Sequence, residues 1–226
     1  MRLNFFDLKG QLIKEIKIFK PILSLALSGK GMIAYAPLRT KPDAPLIDIL
    51  NPKGKVVRSF EQAKFGSPKK NWQIPNFIKI ALTPQEELLI AYEHFPLVVK
   101  YSLSGELLAE YPIETPVMKA KEKINLKRVS GKDKGGLLPV LFSIYCGRNS
   151  FYLLNSFPRL EILEFDYRGN LLNFFFYEYT YELPDVYYAD LVVKEEGEKL
   201  VQKTFYILKT NPTTEINIFK IKHRGV

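Results

Sequence analysis

Apolar residues in this chain come in short alternating runs separated by glycine-bearing turns, and one such arrangement recurs five times. In its first copy, over 5–16, Phe5 and Phe6 lead into Asp7-Leu8-Lys9-Gly10, and Leu12, Ile13 and Ile16 follow. Aligned on the glycine, the copies fall at Gly10, Gly54, Gly105, Gly169 and Gly225, spaced by 44, 51, 64 and 56 residues. Four residues before the glycine stand Phe6, Leu50, Tyr101, Phe165 and Ile221, and three before it Asp7, Asn51, Ser102, Asp166 and Lys222. Two and three after it stand Leu12-Ile13, Val56-Val57, Leu107-Leu108 and Leu171-Leu172, and six after it Ile16, Phe60, Tyr111 and Phe175. Turn chemistry explains the columns. Asp, Asn or Ser at the first turn position accepts a hydrogen bond from the backbone two residues on. Asn51-Pro52-Lys53-Gly54 reads as a type I turn. The glycine supplies the positive φ that closes a bulged hairpin.

A second hairpin precedes four of these glycines. Its strands are predicted over 23–27 and 32–36, 78–82 and 88–92, and 142–146 and 151–154, with a looser pair from Asp190 to Leu208. The unit is therefore four antiparallel strands: an inner hairpin, a short link and the outer glycine hairpin. Four strands per repeat of roughly 40–50 residues is the signature of a β-propeller. The expected fold is all-β, a single propeller domain over 1–226 with five repeats and about four and a half four-stranded blades. The chain opens on an outer hairpin and stops inside another, so a fragment of a larger ring is expected, with a closed five-bladed ring as the alternative.

In its blade pattern the chain resembles the bacterial six-bladed β-propellers related to NHL-repeat and strictosidine-synthase-like proteins. Phe95-Pro96-Leu97-Val98-Val99-Lys100-Tyr101-Ser102-Leu103-Ser104-Gly105-Glu106-Leu107-Leu108 carries the resemblance best. The Asn-His-Arg segment usual before the outer hairpin in NHL repeats is absent, with Phe-Pro in its place at 95–96 and 157–158. The resemblance implies a six-bladed ring and, since one fold hosts many functions, leaves activity open.

Composition adds limits. Hydrophobic residues make up 46% of the 226, enough for a packed core at this length. Lys and Arg exceed Asp and Glu by 33 to 24, a net charge of +9 that favours acidic partners or serves solubility. Cys146 is the one cysteine, which excludes an intramolecular disulfide and a cysteine-based zinc site. No run approaches the roughly 18 apolar residues of a membrane-spanning helix. Met1 enters a strand almost at once, so either a cytoplasmic protein or a mature or truncated form is expected, the latter periplasmic or extracellular after loss of a leader.

Ligand sites are expected where the repeat fails, in the connectors between copies. Lys69, Lys70 and Trp72 interleave charge with an aromatic ring, the chemistry that holds phosphates and stacks bases or sugars. The 119–134 connector, with Lys121, Lys123, Lys127 and Arg128, has seven basic residues against two acidic ones. Tyr179 and Tyr181 lie in a tyrosine-rich acidic connector suited to a binding platform. His94, beside Glu93, is the one candidate general base, His223 lying in an outer turn. Asn76, with Asp185 or Asp190, falls near the inner-strand starts where lactonase-type propellers hold calcium, too few for a metal site. There is no phosphate-cradling glycine loop, metal-spaced His pair or Gly-x-Ser-x-Gly elbow, and no cofactor is expected. The expected function is non-enzymatic binding of a protein, peptide or glycan on the connector face. A calcium-dependent lactonase or lyase and an RNA-binding propeller are the alternatives.

Overall fold

A computed structural model of the chain describes residues 1–66, 73–155, 159–177, 188–196, 202–210 and 214–222. Its strands form five sheets, each antiparallel and each built from consecutive strands. The first is the hairpin β1 (Arg2–Phe6) and β2 (Leu12–Lys17). The second runs β3 (Ile22–Leu27), β4 (Ile33–Pro37), β5 (Ile47–Leu50) and β6 (Val56–Phe60). The third is β7 (Ile78–Leu82), β8 (Leu88–Tyr92), β9 (Leu97–Tyr101) and β10 (Leu107–Pro112). The fourth follows a helix, α1 (Pro116–Val129), and comprises β11 (Ser143–Cys146), β12 (Ser150–Asn155), β13 (Leu160–Asp166) and β14 (Leu171–Tyr177). The last has three strands, β15 (Tyr188–Glu196), β16 (Gln202–Lys209) and β17 (Glu215–Lys222). The fold is an all-β propeller seen as a partial ring. Among the described residues there are seventeen strands, against the eighteen of four and a half blades.

The turn chemistry is as the columns require. Gly10, Gly54, Gly105 and Gly169 have φ of 80, 81, 84 and 91°. Each donates its N–H to the carbonyl three residues back, at 2.8–3.0 Å. Asp7 Oδ1 accepts from the N–H of Lys9 and Gln11, Asn51 Oδ1 from Lys53 and Lys55, and Asp166 Oδ1 from Arg168 and Asn170. Register shifts sit beside the turn in all four hairpins, the bulge that the glycine permits.

Each hydrophobic core lies between neighbouring sheets. One packs β1–β2 on β3–β6 through Ile16, Ile33, Tyr35 and Leu50. The next joins the second and third sheets through Ile47, Ile49, Ile80 and Val99. Leu89, Val98, Phe151 and Leu163 join the third and fourth, and Tyr152, Ile162, Leu191 and Phe205 join the fourth and fifth. The repeat also fixes how blades dock. A Cβ built on Gly54 would stand 2.4 Å from Ile16 Cγ2, one on Gly105 3.1 Å from Phe60 Cδ1, and one on Gly169 2.2 Å from Tyr111 Cδ1. In each case the side chain six residues past one turn glycine seats on the glycine of the next blade.

One element departs from the sequence reading. The 119–134 connector, read only as a basic link between repeats, is largely helix. Thr115 caps it, its Oγ1 accepting from Met118 N at 3.2 Å, and Pro116 fits the first turn, whose N–H groups have no helical partner. The density of charge hid these start signals. Only Met118, Lys121 and Asn125 are buried, a narrow stripe on which two of three residues are polar. That stripe is held by hydrogen bonds rather than by apolar packing.

Candidate ligand channel and connector face

In this topology all the tight hairpin turns lie at one end of the blades, and the links and inter-blade connectors at the other. The innermost strands β3, β7, β11 and β15 start at the connector end. There they surround a cavity of about 610 Å³, together with Met1 and, from β1, Leu3. Leu23, Leu25, Ile80 and Val192 give its wall apolar stretches, and Ser24, Lys79, Ser143, Tyr145 and Asp190 give it polar groups. Two serines tie adjacent innermost strands together. Ser24 Oγ accepts from Ile80 N at 3.0 Å, and Ser143 Oγ donates to Asp190 Oδ1 at 2.5 Å. Asp190 also accepts from Leu191 N at 2.8 Å. The Lys79 ammonium stands 3.9 Å from Glu93 Oε2, a loose pair that leaves it a third exposed. Burial raises the Tyr145 phenol, and Glu195 and Cys146 push it the same way, so it stays a neutral donor. Among the described side chains the channel thus offers one cation, Lys79, one anion, Asp190, and neutral hydroxyls on separate strands.

Away from the channel lining, a polar column clamps α1 onto the links. Asn125 Nδ2 donates to the carbonyls of His94 (2.7 Å) and Leu138 (2.8 Å), and its Oδ1 accepts from Leu138 N. One turn back, Lys121 Nζ donates to Pro139 O and Asn155 Oδ1, both at 2.8 Å. Asn155 passes on to Glu161 Oε2 at 2.8 Å, and Arg159 Nε donates to Glu161 Oε1 at 2.9 Å. Burial pulls the Lys121 ammonium down to about 8, against an opposing pull from Glu161.

The candidate residues divide accordingly. His94 is buried, with Nδ1 3.4 Å from Leu138 O; burial lowers its basicity, while Glu93 works the other way. It belongs to the clamp under α1 rather than to the channel wall. Lys121 points inward and its ammonium is taken up by oxygen acceptors, whereas Lys123 and Lys127 on the same helix are exposed. Arg128 is half-buried, bonded to Gly136 O and 3.5 Å from Asp133 Oδ2. The four basic residues named on α1, Lys121, Lys123, Lys127 and Arg128, therefore do not form one outward patch. Asn76 is used by the backbone: its Oδ1 accepts from Lys64 N and Phe65 N, and its Nδ2 donates to Phe65 O. Of the calcium candidates among the described residues, Asn76 and Asp190, Asp190 is the one that lines the channel. Lys69, Lys70, Trp72, Tyr179, Tyr181, Asp185 and His223 lie outside the described residues. Among the described residues no three His, Cys, Asp or Glu side chains come together to hold a metal, and no helix is long and apolar enough to cross a membrane.

Ser24, Lys79, Ser143 and Tyr145 were not singled out from the sequence. Their signal is positional: Ser24, Lys79 and Ser143 stand near the start of an innermost strand, where one edge faces the axis, and Tyr145 follows two residues after Ser143. That is visible once the blade frame is known.

No family model matches the sequence, and no curated protein does. Solved structures do resemble it. A member of the DUF4221 family from Bacteroides vulgatus aligns over 98% of this chain and 73% of its own, with 10% identity and a TM-score of 0.56. A protein of unknown function from Bacteroides caccae aligns over 94% of this chain and 65% of its own, with 13% identity and a TM-score of 0.50. A streptogramin B lyase aligns over 95% of this chain and 60% of its own, with 13% identity and a TM-score of 0.48. At these identities the likeness establishes the β-propeller fold. The chain spans about two thirds of the length of such proteins.

Proposed function

We propose that this propeller is a binding protein of the six-bladed kind, whose ligand, a peptide or glycan segment, enters the axial channel from the connector face. The channel itself carries the reading. Its volume of about 610 Å³ suits a small segment, since ligand pockets run to roughly 300–1,000 Å³. Apolar wall with a few placed polar groups is what orients such a ligand. The spread of Lys79, Asp190 and the hydroxyls over different strands fits amides or sugar hydroxyls, which need donors and acceptors together.

The test is to probe the purified chain against a displayed random-peptide library and a glycan array, then measure the best hit by calorimetry. Leu25→Trp puts an indole into the channel from a half-exposed position and leaves the blade cores alone. Asp190→Ala removes the carboxylate. Loss of affinity by about tenfold or more in both variants is expected, equivalent to about 1.4 kcal/mol. A ligand that binds both variants as well as the parent chain would overturn the reading.

A further inference from the structure

The connector between β10 and β11 adds a helix that no blade requires. It runs over 113–142, where the connector from β2 to β3 takes only 18–21; such links usually take about 2–6 residues. Within it α1 is held in one orientation. Lys121 and Asn125, four residues apart, face inward and bond to Pro139, Asn155, His94 and Leu138. On the opposite side Lys119, Lys123 and Lys127 follow at the same four-residue step, all exposed, about 6 Å from one to the next along the axis.

The row continues past the end of the helix. Gly131, at a φ of 75°, turns the chain back. Its N–H donates to Arg128 O at 3.1 Å and that of Lys132 to Lys127 O at 2.9 Å, the pairing of a Schellman cap. Arg128 ties the loop down through Gly136 O and Asp133. Lys132 and Lys134, both exposed, are therefore fixed beside the last turn and extend the row into a basic ridge.

Ion pairing does not neutralise this ridge. Lys119 pairs with Glu114 at 3.1 Å. Lys123, Lys127, Lys132 and Lys134 have no carboxylate within 4 Å among the described residues, and Glu122, half-buried, is the one acid on α1. Like charges four apart on a helix repel, so the ridge is kept at a cost to the helix and is relieved by an anionic partner. The class of partner follows from the residue types. Neither α1 nor the loop 130–136 carries an aromatic residue, so the ridge has no platform on which unpaired bases could stack. Without stacking, charge density decides, and a nucleic-acid duplex carries about one charge per 1.7 Å of axis, twice that of either strand in it.

We propose that the outward ridge of α1 and its capping loop binds the phosphate backbone of double-stranded nucleic acid, without reading its sequence. None of these lysines lines the axial channel, and the ridge does not depend on what the channel binds.

The probe is a short fluorescein-labelled DNA duplex of mixed sequence, titrated with the full chain at several salt concentrations and read by anisotropy. Saturable binding is expected. Four unpaired lysines give a slope of about −3.6 in log affinity against log salt, a loss of about 150-fold between 50 and 200 mM. Lys123→Glu with Lys127→Glu should weaken binding by about tenfold or more and make the slope shallower by about 2. Lys132→Glu with Lys134→Glu, which leaves the helix itself untouched, should do the same. The control is Lys17→Glu with Lys20→Glu, exposed positions of the first hairpin and its connector. It lowers the net charge equally and should bind within about twofold of the parent chain. The proposal is overturned if no saturable binding is found at low salt, if both ridge variants bind like the parent, or if the control weakens binding as much as they do, which would make net charge alone the cause. Tighter binding to the single strand than to the duplex would also overturn it, as would vesicles containing phosphatidylserine that outcompete the duplex for the same lysines, which would make a lipid surface the partner.

Discussion

Replacing Gly169 with alanine tests the register by which blades dock. Two costs combine there. The φ of 91° puts a non-glycine residue in the left-handed region, worth about 1–2 kcal/mol. The new Cβ would also lie 2.2 Å from Tyr111 Cδ1 and 2.6 Å from Cε1. The tyrosine ring cannot easily yield. Its hydroxyl donates to Tyr167 O at 2.9 Å, and it stacks on Phe151 with centroids 6.1 Å apart. Forcing such a contact costs about 1–3 kcal/mol more. Gly10 is the internal control, because its φ is 80° and nothing lies within 4 Å of a built Cβ. Gly10→Ala should therefore cost about 1–2 kcal/mol and Gly169→Ala about 2–5 kcal/mol. Urea unfolding followed by circular dichroism measures both, with amide exchange in β10 and β14 reporting where stability is lost. In a Tyr111→Ala background, Gly169→Ala should cost no more than Gly10→Ala, giving a coupling of about 1–3 kcal/mol. Equal costs at Gly10 and Gly169, or a double-mutant cycle that adds without coupling, would refute the docking rule.

Three other perturbations follow from buried groups. Glu164 is pushed up by burial, but hydrogen bonds from Lys203, Asn173 and Ser150 outweigh this and hold it below its ordinary 4.5. Its contribution is therefore present above pH 4.5 and lost as pH falls through the lowered value. Lys203→Met, which removes the 2.6 Å contact to Oε1, should cost about 3–5 kcal/mol at neutral pH and move the acid transition to higher pH in a thermal-melt series. Lys121 titrates near 8 when folded and at 10.5 when unfolded, so the unfolded chain holds more protons in between and stability rises with pH across that window, by about 3 kcal/mol. Lys121→Met should flatten this rise, and a variant that keeps it would relocate the titration. Burial pushes the Cys146 thiol up to about 12. At pH 8 only about one molecule in ten thousand carries the thiolate, so an aromatic disulfide reagent should label the native chain very slowly and the urea-unfolded chain at once.

The repeat, and through it the strands, the turns and the fold, is legible in the order of residues alone. These rest on local chemistry: Asp7, Asn51 and Asp166 satisfy their own turn amides, and Gly10, Gly54, Gly105 and Gly169 adopt a backbone that needs no distant partner. Even the inter-blade register was latent in the column of Ile16, Phe60 and Tyr111, because a repeat that stacks on itself must bring the same two positions together every time. Outside the turns, what the polar residues do depends on which distant segments meet. Lys121 reads as one more charge in a basic segment until α1 turns it toward Asn155. Asn76 sits where a cation ligand is expected until the backbone of Lys64 and Phe65 bonds to both the oxygen and the nitrogen of its amide. His94 lies beside Glu93 in sequence but is bonded across to Leu138, 44 residues on. The channel is likewise absent from any single repeat. Ser24, Lys79, Ser143 and Asp190 come from four different blades, and only closing the strands around a common axis sets them facing one space. Apolar patterning is periodic and so is written locally, whereas the partners of a charge or an amide are fixed by which segments meet.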